Sequence, residues 1–336
     1  MTSKFRSENS AASLPFISVV IPTYNRPWQM ASCLRSFEQT DYPRNRFELV
    51  IVDDGSPNTL DQIVAPFRDK FQLNLIKQAN AGAGSARNTG AAAARGDYIA
   101  FTDDDCVPAA DWLSTLAKAV KENPDEGFGG LTFNALPNNP CSTASQLLID
   151  YLHNYYFPAD ENRFFASNNV IFSKKQFEQI GGFDTRFPRA GAEDRDFCRR
   201  WLAEGYGLTY VPQAKINHSH GMTLKGFIRQ HFCYGRGAFY FHSFKKVQTK
   251  SKQLRVEPLR FYTRLLCYPY TVKTTTRPWL LVLLMFVSQA ANAIGFFYER
   301  NRASRSAPLK SPASAGGVLM MKIGDAKPVA TSGYKA

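Results

Sequence analysis

The sequence predicts an α/β protein built on an open, mostly parallel sheet flanked by helices, followed by a basic helical extension. Three observations carry this. Short apolar, β-branched runs alternate with segments of helical composition between residues 16 and 101, the pattern of β-α-β units whose strands are buried on both faces. Polar and acidic residues stand at the ends of those runs, where open α/β sheets bind their ligands. The charge is also divided: residues 1–220 hold 22 Lys/Arg and 25 Asp/Glu, a net −3, whereas residues 221–336 hold 19 and 3, a net +16.

Residues 1–14 are Ser-rich and polar and are expected to be disordered. Phe16 to Ile21 is the first strand, and Asn25 and Pro27 mark the start of a helix through Phe37, since proline is tolerated in a first turn. The alternation continues with a strand over 48–52, a helix over 60–67, a strand over 73–77, a helix over 83–95 and a strand over 98–101. A helix over 109–120 follows. From about residue 128 the pattern loosens into short strands, a helix-like stretch over 146–157, a helix over 193–204 and a strand over 208–211. The predicted organisation is therefore a catalytic domain over 15–222, with a ligand-binding half over 15–127 and a second half over 128–222. A basic, aromatic-rich helical extension covers 223–277, a candidate membrane helix 278–299, and a disordered tail 300–336.

The run from Trp279 to Tyr298 holds no Lys, Arg, Asp or Glu and is just long enough to span a bilayer, with an aromatic residue at each end. Ser288, Gln289 and Asn292 interrupt it, and a buried core helix is the competing reading. Arg and Lys flank it equally, so the sequence sets no orientation and a shallow or re-entrant helix fits as well as a span. The basic C-terminal third points to anionic lipid or an anionic polymer. No basic groove is visible in the sheet region, so nucleic acid is not an expected partner. The six cysteines are scattered and no apolar leader precedes the first strand, which suits a reducing cytosol; no Cys/His spacing supports a zinc site.

Chemistry concentrates at the strand ends. Asp103-Asp104-Asp105 would repel one another strongly if buried without a cation, and Mg²⁺ or Mn²⁺ would relieve the repulsion while leaving positions open for diphosphate oxygens. A solvated acidic loop, or a cap on the helix after Pro108, is the plain alternative. The ordered set Ile21-Pro22-Thr23-Tyr24-Asn25, Val52-Asp53-Asp54-Gly55-Ser56, Asn80 to Asn88, Thr102 to Asp105, Gly181-Gly182-Phe183-Asp184 and Glu193-Asp194-Arg195-Asp196 resembles the family 2 glycosyltransferases over residues 16–220.

That resemblance implies a GT-A fold and an inverting transfer from a UDP-sugar or related nucleotide sugar to a saccharide or lipid-linked acceptor hydroxyl. By the same resemblance, Pro22, Thr23 and Tyr24 would contact the base, with Asp53 or Asp54 accepting from its imide N–H. Arg87 would reach the diphosphate, Asp104 the ribose and Asp105 the metal, with Asp103 the first member of the Asp-x-Asp pattern. Asp194 is the candidate general base. Glu193, Asp194 and Asp196 fan out around a helix, so only one or two can enter a cleft, and Asp196 suits an ion pair with Arg200. His218 or His220, on alternate positions of an extended segment, could complete the metal shell. Asn168 and Asn169 are expected at the acceptor, beside Glu193, whereas Trp112 and Trp201 read as core anchors. The expected place of work is the cytoplasmic face of a membrane. A sugar nucleotidyltransferase would need similar carboxylates but leaves Asp194 without a role, and a non-enzymatic cationic binding protein rests on the C-terminal charge alone.

Overall fold

Eight strands form one mixed sheet in the order β3-β2-β1-β4-β7-β6-β8-β5. The computed structural model describes residues 14–157, 163–187, 191–249 and 257–305. The strands are β1 (Ile17–Thr23), β2 (Phe47–Asp53), β3 (Leu73–Lys77), β4 (Tyr98–Thr102), β5 (Cys106–Pro108), β6 (Gly127–Asn134), β7 (Asn169–Ser173) and β8 (Leu208–His218). The α-helices are α1 (Pro27–Ser36), α2 (Asp61–Val64), α3 (Ala83–Ala93), α4 (Trp112–Glu122), α5 (Pro140–Tyr156), α6 (Lys174–Ile180), α7 (Glu193–Ala203), α8 (Leu224–Thr249), α9 (Leu259–Cys267) and α10 (Pro278–Arg305).

The first four strands in sequence pair parallel, β3-β2-β1-β4, as the apolar runs predict, and β1 and β2 are buried at every residue. The sheet then turns: β7 lies antiparallel to both β4 and β6, β6 and β8 pair parallel, and β5 pairs antiparallel with β8. The mostly parallel expectation therefore holds for the ligand-binding half, and the whole sheet is mixed. Together with the flanking helices this is the GT-A arrangement that the motifs imply.

Three departures from the sequence reading have local causes. Helix α3 stops at Ala93 because Arg95 leaves it to grip buried Glu48, with its backbone N–H at 2.6 Å and its Nε at 2.8 Å from the carboxylate. Helix α5 begins at Pro140, ahead of the expected Gln146. Asn139 caps it by accepting from the Ser142 N–H at 3.0 Å, with proline in the first turn. Strand β8 runs past Val211 to His218 through a register shift opposite Gly130 and Leu131, where Val211 and Lys215 are the successive partners.

Two apolar layers cover the sheet. One packs α1 and α4 on it around Phe37, Phe47 and Trp112; the other packs α3, α6 and α7 around Phe172, Phe197 and Trp201. Trp112 and Trp201 are the core anchors expected. A third cluster joins α5, α9 and α10 through Leu148, Tyr151, Phe261, Leu265, Leu281 and Met285. The C-terminal extension is thus packed onto the catalytic domain. Helix α10 continues to Arg305, into the stretch expected to be disordered, because buried Glu299 is held by Arg236 at 2.5 Å and Arg302 at 3.6 Å. The disorder expected before Leu14 and beyond Arg305 falls outside the described residues.

Candidate active site

The parallel register sets the ends of β1, β2 and β4 side by side, with Thr23 opposite Asp53, so their polar continuations share one cleft of about 1150 Å³. Pro22, Thr23, Tyr24, Asp54, Arg87, Asp103, Asp104, Asp105, Asn168, Asn169, Glu193, Asp194 and His218 all line it. Asp53 does not line it. Its Oδ1 accepts from the Ser56 N–H at 2.9 Å, and Ser56 Oγ in turn accepts from the Asn25 N–H at 2.8 Å. Gly55, at φ +82°, completes this turn where a Cβ would stand 2.8 Å from the Asn80 nitrogen. Asp54 accepts from Gln78 Nε2 and from the Ala81 and Gly82 N–H groups at 2.7, 2.9 and 2.8 Å, which fixes the Gly-rich loop ahead of α3. Tyr24 is half exposed at the rim.

None of the three central aspartates caps a helix, since the capping position of α4 is Asp111. Asp104 accepts from Thr23 Oγ1 at 2.7 Å and pairs with Arg26 at 3.1 Å. Burial pushes its carboxyl up to about 6 against the pull of Arg26 and Thr23. The same Arg26 nitrogen lies 2.9 Å from Asp105 Oδ2. Strand β8 brings in the histidines: His218 pairs with Cys106 in register, which places its Nε2 3.1 Å from Asp105 Oδ1, and His220 Nδ1 lies 3.3 Å from Oδ2. Burial would raise the Asp105 carboxyl, but two imidazoles and a guanidinium at its oxygens hold it well below the usual carboxylate range. His220 is raised in turn, chiefly by Asp105, while its Nε2 meets Gln230 Oε1 at 3.0 Å.

This corner fits a divalent cation. Asp105 Oδ1 is buried with the His218 ring nitrogen 3.1 Å away, and the ligand atoms of Asp105, Cys106 and His218 lie within 4.8 Å of one another. Carboxylate and imidazole are donors for such an ion. Cys106 is a poor third, because burial raises its thiol well above the ordinary value and keeps it neutral.

Arg87 ties the two halves of the cleft together. It is 5% exposed, with one nitrogen 2.6 Å from Asp103 Oδ1 and the other 3.6 Å from Glu193 Oε1. Ala192, at φ +72°, turns the chain into α7, and the Gly191 N–H donates to Glu193 Oε2 at 2.6 Å. Glu193 and Asp194 then face the cleft. Asp196 points away to Arg199 and Arg200, both at 2.8 Å, as the helical fan predicts. Burial, with the Glu193 charge beside it, lifts the Asp194 carboxyl to about 7, although the Arg195 N–H at 2.7 Å and Arg87 oppose the shift. A carboxyl so placed can take a proton at neutral pH.

The far wall divides the two asparagines. Asn168 has a buried Oδ1 without a partner, whereas Asn169 is committed to the core: its Oδ1 accepts from Trp112 Nε1 at 2.9 Å, and its Nδ2 donates to Leu131 and Ala214 carbonyls. Several lining residues escaped the sequence reading. Arg26 sits one residue past the first motif. Asp150 and Gln146, joined at 2.8 Å, come from α5, and burial raises the Asp150 carboxyl to about 6. Gln230 and Tyr234 come from α8, and Lys273 from the segment before α10. A helical spacing of Gln146 and Asp150 was the one available signal.

Residues 18–181 match the model of glycosyl transferase family 2, and residues 150–222 match the model described as the N-terminal domain of galactosyltransferase. Glycosyltransferase AglE of Haloferax volcanii is 28% identical over 204 residues, covering 60% of this chain and 66% of that protein. A chondroitin synthase of Pasteurella multocida is 27% identical over 226 residues, covering 56% and 23%. The match therefore spans less than two thirds of either relative. Mannosyltransferase PcManGT from Pyrobaculum calidifontis, solved with GDP-Man and Mn²⁺, superposes with a TM-score of 0.56 at 21% identity over 89% of this chain and 78% of that one, a likeness of fold.

Proposed function

Because the chain belongs to glycosyl transferase family 2, we propose that it moves a sugar from a UDP-sugar or related nucleotide sugar to an acceptor hydroxyl with inversion. One observation carries the reading: a single cleft holds the Asp105–His218 corner and Asp194, with Arg87 bridging Asp103 to Glu193 inside it. Pro22, Tyr24 and Asp54 would receive the base, with Asp53 holding the turn behind them, and Asp104, ionised above about pH 6, the ribose. Asp194 takes the proton of the acceptor hydroxyl. The freed oxygen bonds to the anomeric carbon, and the bond to the diphosphate breaks on the opposite face. Arg87 stabilises charge growing on the departing diphosphate.

Asp105 and His218 would hold a divalent cation, which would supply further positive charge at the leaving group. An imidazole in the donor set suits Mn²⁺ better than Mg²⁺, which demands oxygen, and PcManGT was solved with Mn²⁺. The acceptor is a saccharide, free or lipid-linked, and its site is the wall of Asn168, Gln146 and Asp150. The name chondroitin synthase favours polysaccharide synthesis as the pathway class, and the apolar helix α10 in a basic extension favours the cytoplasmic face of a membrane as the place of work.

The test is thermal protection followed by turnover. Purified protein is melted with UDP, GDP and their sugars, with and without Mn²⁺, and the released nucleoside diphosphate is measured with saccharide acceptors. Metal-dependent protection by a nucleoside diphosphate and its release on transfer are expected. Release of pyrophosphate would establish a nucleotidyltransferase, and no protection by any nucleotide would sink both readings.

A further inference from the structure

Helix α10 is long and apolar enough to cross a membrane, yet its packing points to another arrangement. Trp279, Leu283, Phe286, Ile294 and Phe297 are each 52 to 63% exposed. With Ala290 they follow steps of three and four residues, so they form one stripe about 27 Å long at 1.5 Å per residue. The opposite face is committed to the protein. Leu281, Leu284 and Met285 enter the core shared with α5 and α9.

Helix α8 runs against the same face at backbone distance. A Cβ on Gly235 would stand 1.9 Å from the Asn292 carbonyl oxygen, and one on Gly295 would stand 2.0 Å from that of Phe232. Glu299, fully buried, receives Arg236 Nε and Tyr240 Oη at 2.5 and 3.0 Å. A membrane span by α10 would either drag the Lys225, Arg229 and Arg236 face of α8 into hydrocarbon or strip Glu299 of its partners. Neither is compatible with these contacts.

We infer that α10 lies in the plane of an anionic bilayer surface, its Trp279–Phe297 stripe among the acyl chains and its other face on the protein. The charge fits this occupant. Arg260 and Arg264 on α9, Lys273 and Arg277 on the segment leading into α10, and Arg300 on α10 are exposed, and Glu299, the one acid of the helix, is buried. An interfacial helix joins an apolar face to cationic surroundings in this way. Lys273, Thr274 and Thr275 both line the cleft and lead directly into α10. If the transferase reading holds, the cleft edge is fixed at headgroup level, where a lipid-linked acceptor enters sideways.

The experiment is sedimentation of the full chain with vesicles, which needs no turnover and so stands or falls apart from the transferase reading. Binding is expected to vesicles containing phosphatidylglycerol, to weaken at least tenfold with pure phosphatidylcholine or at high salt, and to be released from membranes by alkaline carbonate. Phe286→Asp with Ile294→Asp should weaken binding at least tenfold while circular dichroism and Tm stay unchanged, since both side chains are already exposed. Equal binding of variant and wild type, indifference to anionic lipid, or retention through carbonate would each overturn the inference. So would a dimer in lipid-free solution that the double variant dissolves, because the stripe would then be a contact between copies.

Discussion

At the residue scale the chemistry turns on two carboxylates held in opposite states. Asp105 is kept ionised by His218, His220 and Arg26, whereas Asp194 is driven toward its neutral form by burial and by Glu193. As the proposed base, Asp194 must be ionised to act, so the rate should fall as pH drops below about 7, the value to which its carboxyl is lifted. Asp194→Asn should cost about 10²- to 10⁴-fold in kcat while leaving nucleotide protection intact. Stability runs the other way. A carboxyl raised in the folded state stabilises fully below its ordinary value, and that contribution is lost as pH rises through about 7. Asp194→Asn should therefore melt higher than wild type at pH 8, and the two Tm values should converge near pH 4. Arg26 stands across Asp104 and Asp105 where positive charge is required. It is 42% exposed, so its screened pairs stabilise by about 1 kcal/mol or less. Arg26→Ala should lower the Tm of the metal-free protein and leave a larger upward shift on adding Mn²⁺ than wild type shows; equal shifts would separate Arg26 from the cation site.

At the scale of elements, the joint between α8 and α10 is the tightest in the extension. Gly235→Ala inserts a Cβ where the Asn292 carbonyl already sits, an overpacking that costs about 1–3 kcal/mol. Limited proteolysis should then cut the C-terminal helices at lower temperature than wild type, with the nucleotide-protected sheet cut last. Simultaneous loss of both would show that the extension and sheet unfold as one. The same joint marks what the sequence could convey. Strands β1, β2 and β4 were legible because strands buried on both faces read as unbroken apolar runs, and their ends carried most of the site with them. Strand β8 was hidden beyond Val211 by a bulge, and the start of α5 by small polar residues in its first turn. Arg26, Asp150, Gln230 and Tyr234 carry no motif. They matter through contacts that only the folded chain makes, such as His220 meeting Asp105 and Gln230 at once.

For the whole molecule, the cleft belongs to the sheet and the extension together: α8 contributes Gln230, Tyr234 and Phe241, and α10 contributes Asn292. Removing residues from 278 onward is therefore more than removing an anchor. It would uncover Leu265, Leu148 and Tyr151 in the cluster that Leu281 and Met285 close, and leave Arg236 without the carboxylate of Glu299. Exposed apolar surface of that kind drives aggregation. A chain ending at Arg277 should consequently be recovered largely insoluble, and any soluble fraction should melt well below wild type and transfer no sugar even to a water-soluble acceptor. Phe286→Asp in the full chain leaves the same cluster closed, so it should stay soluble and keep near wild-type kcat on that acceptor while losing activity on an acceptor displayed in vesicles. The pair separates architecture from membrane contact. If the truncated chain were soluble and active, the extension would be an appendage, and the cleft would need only the sheet.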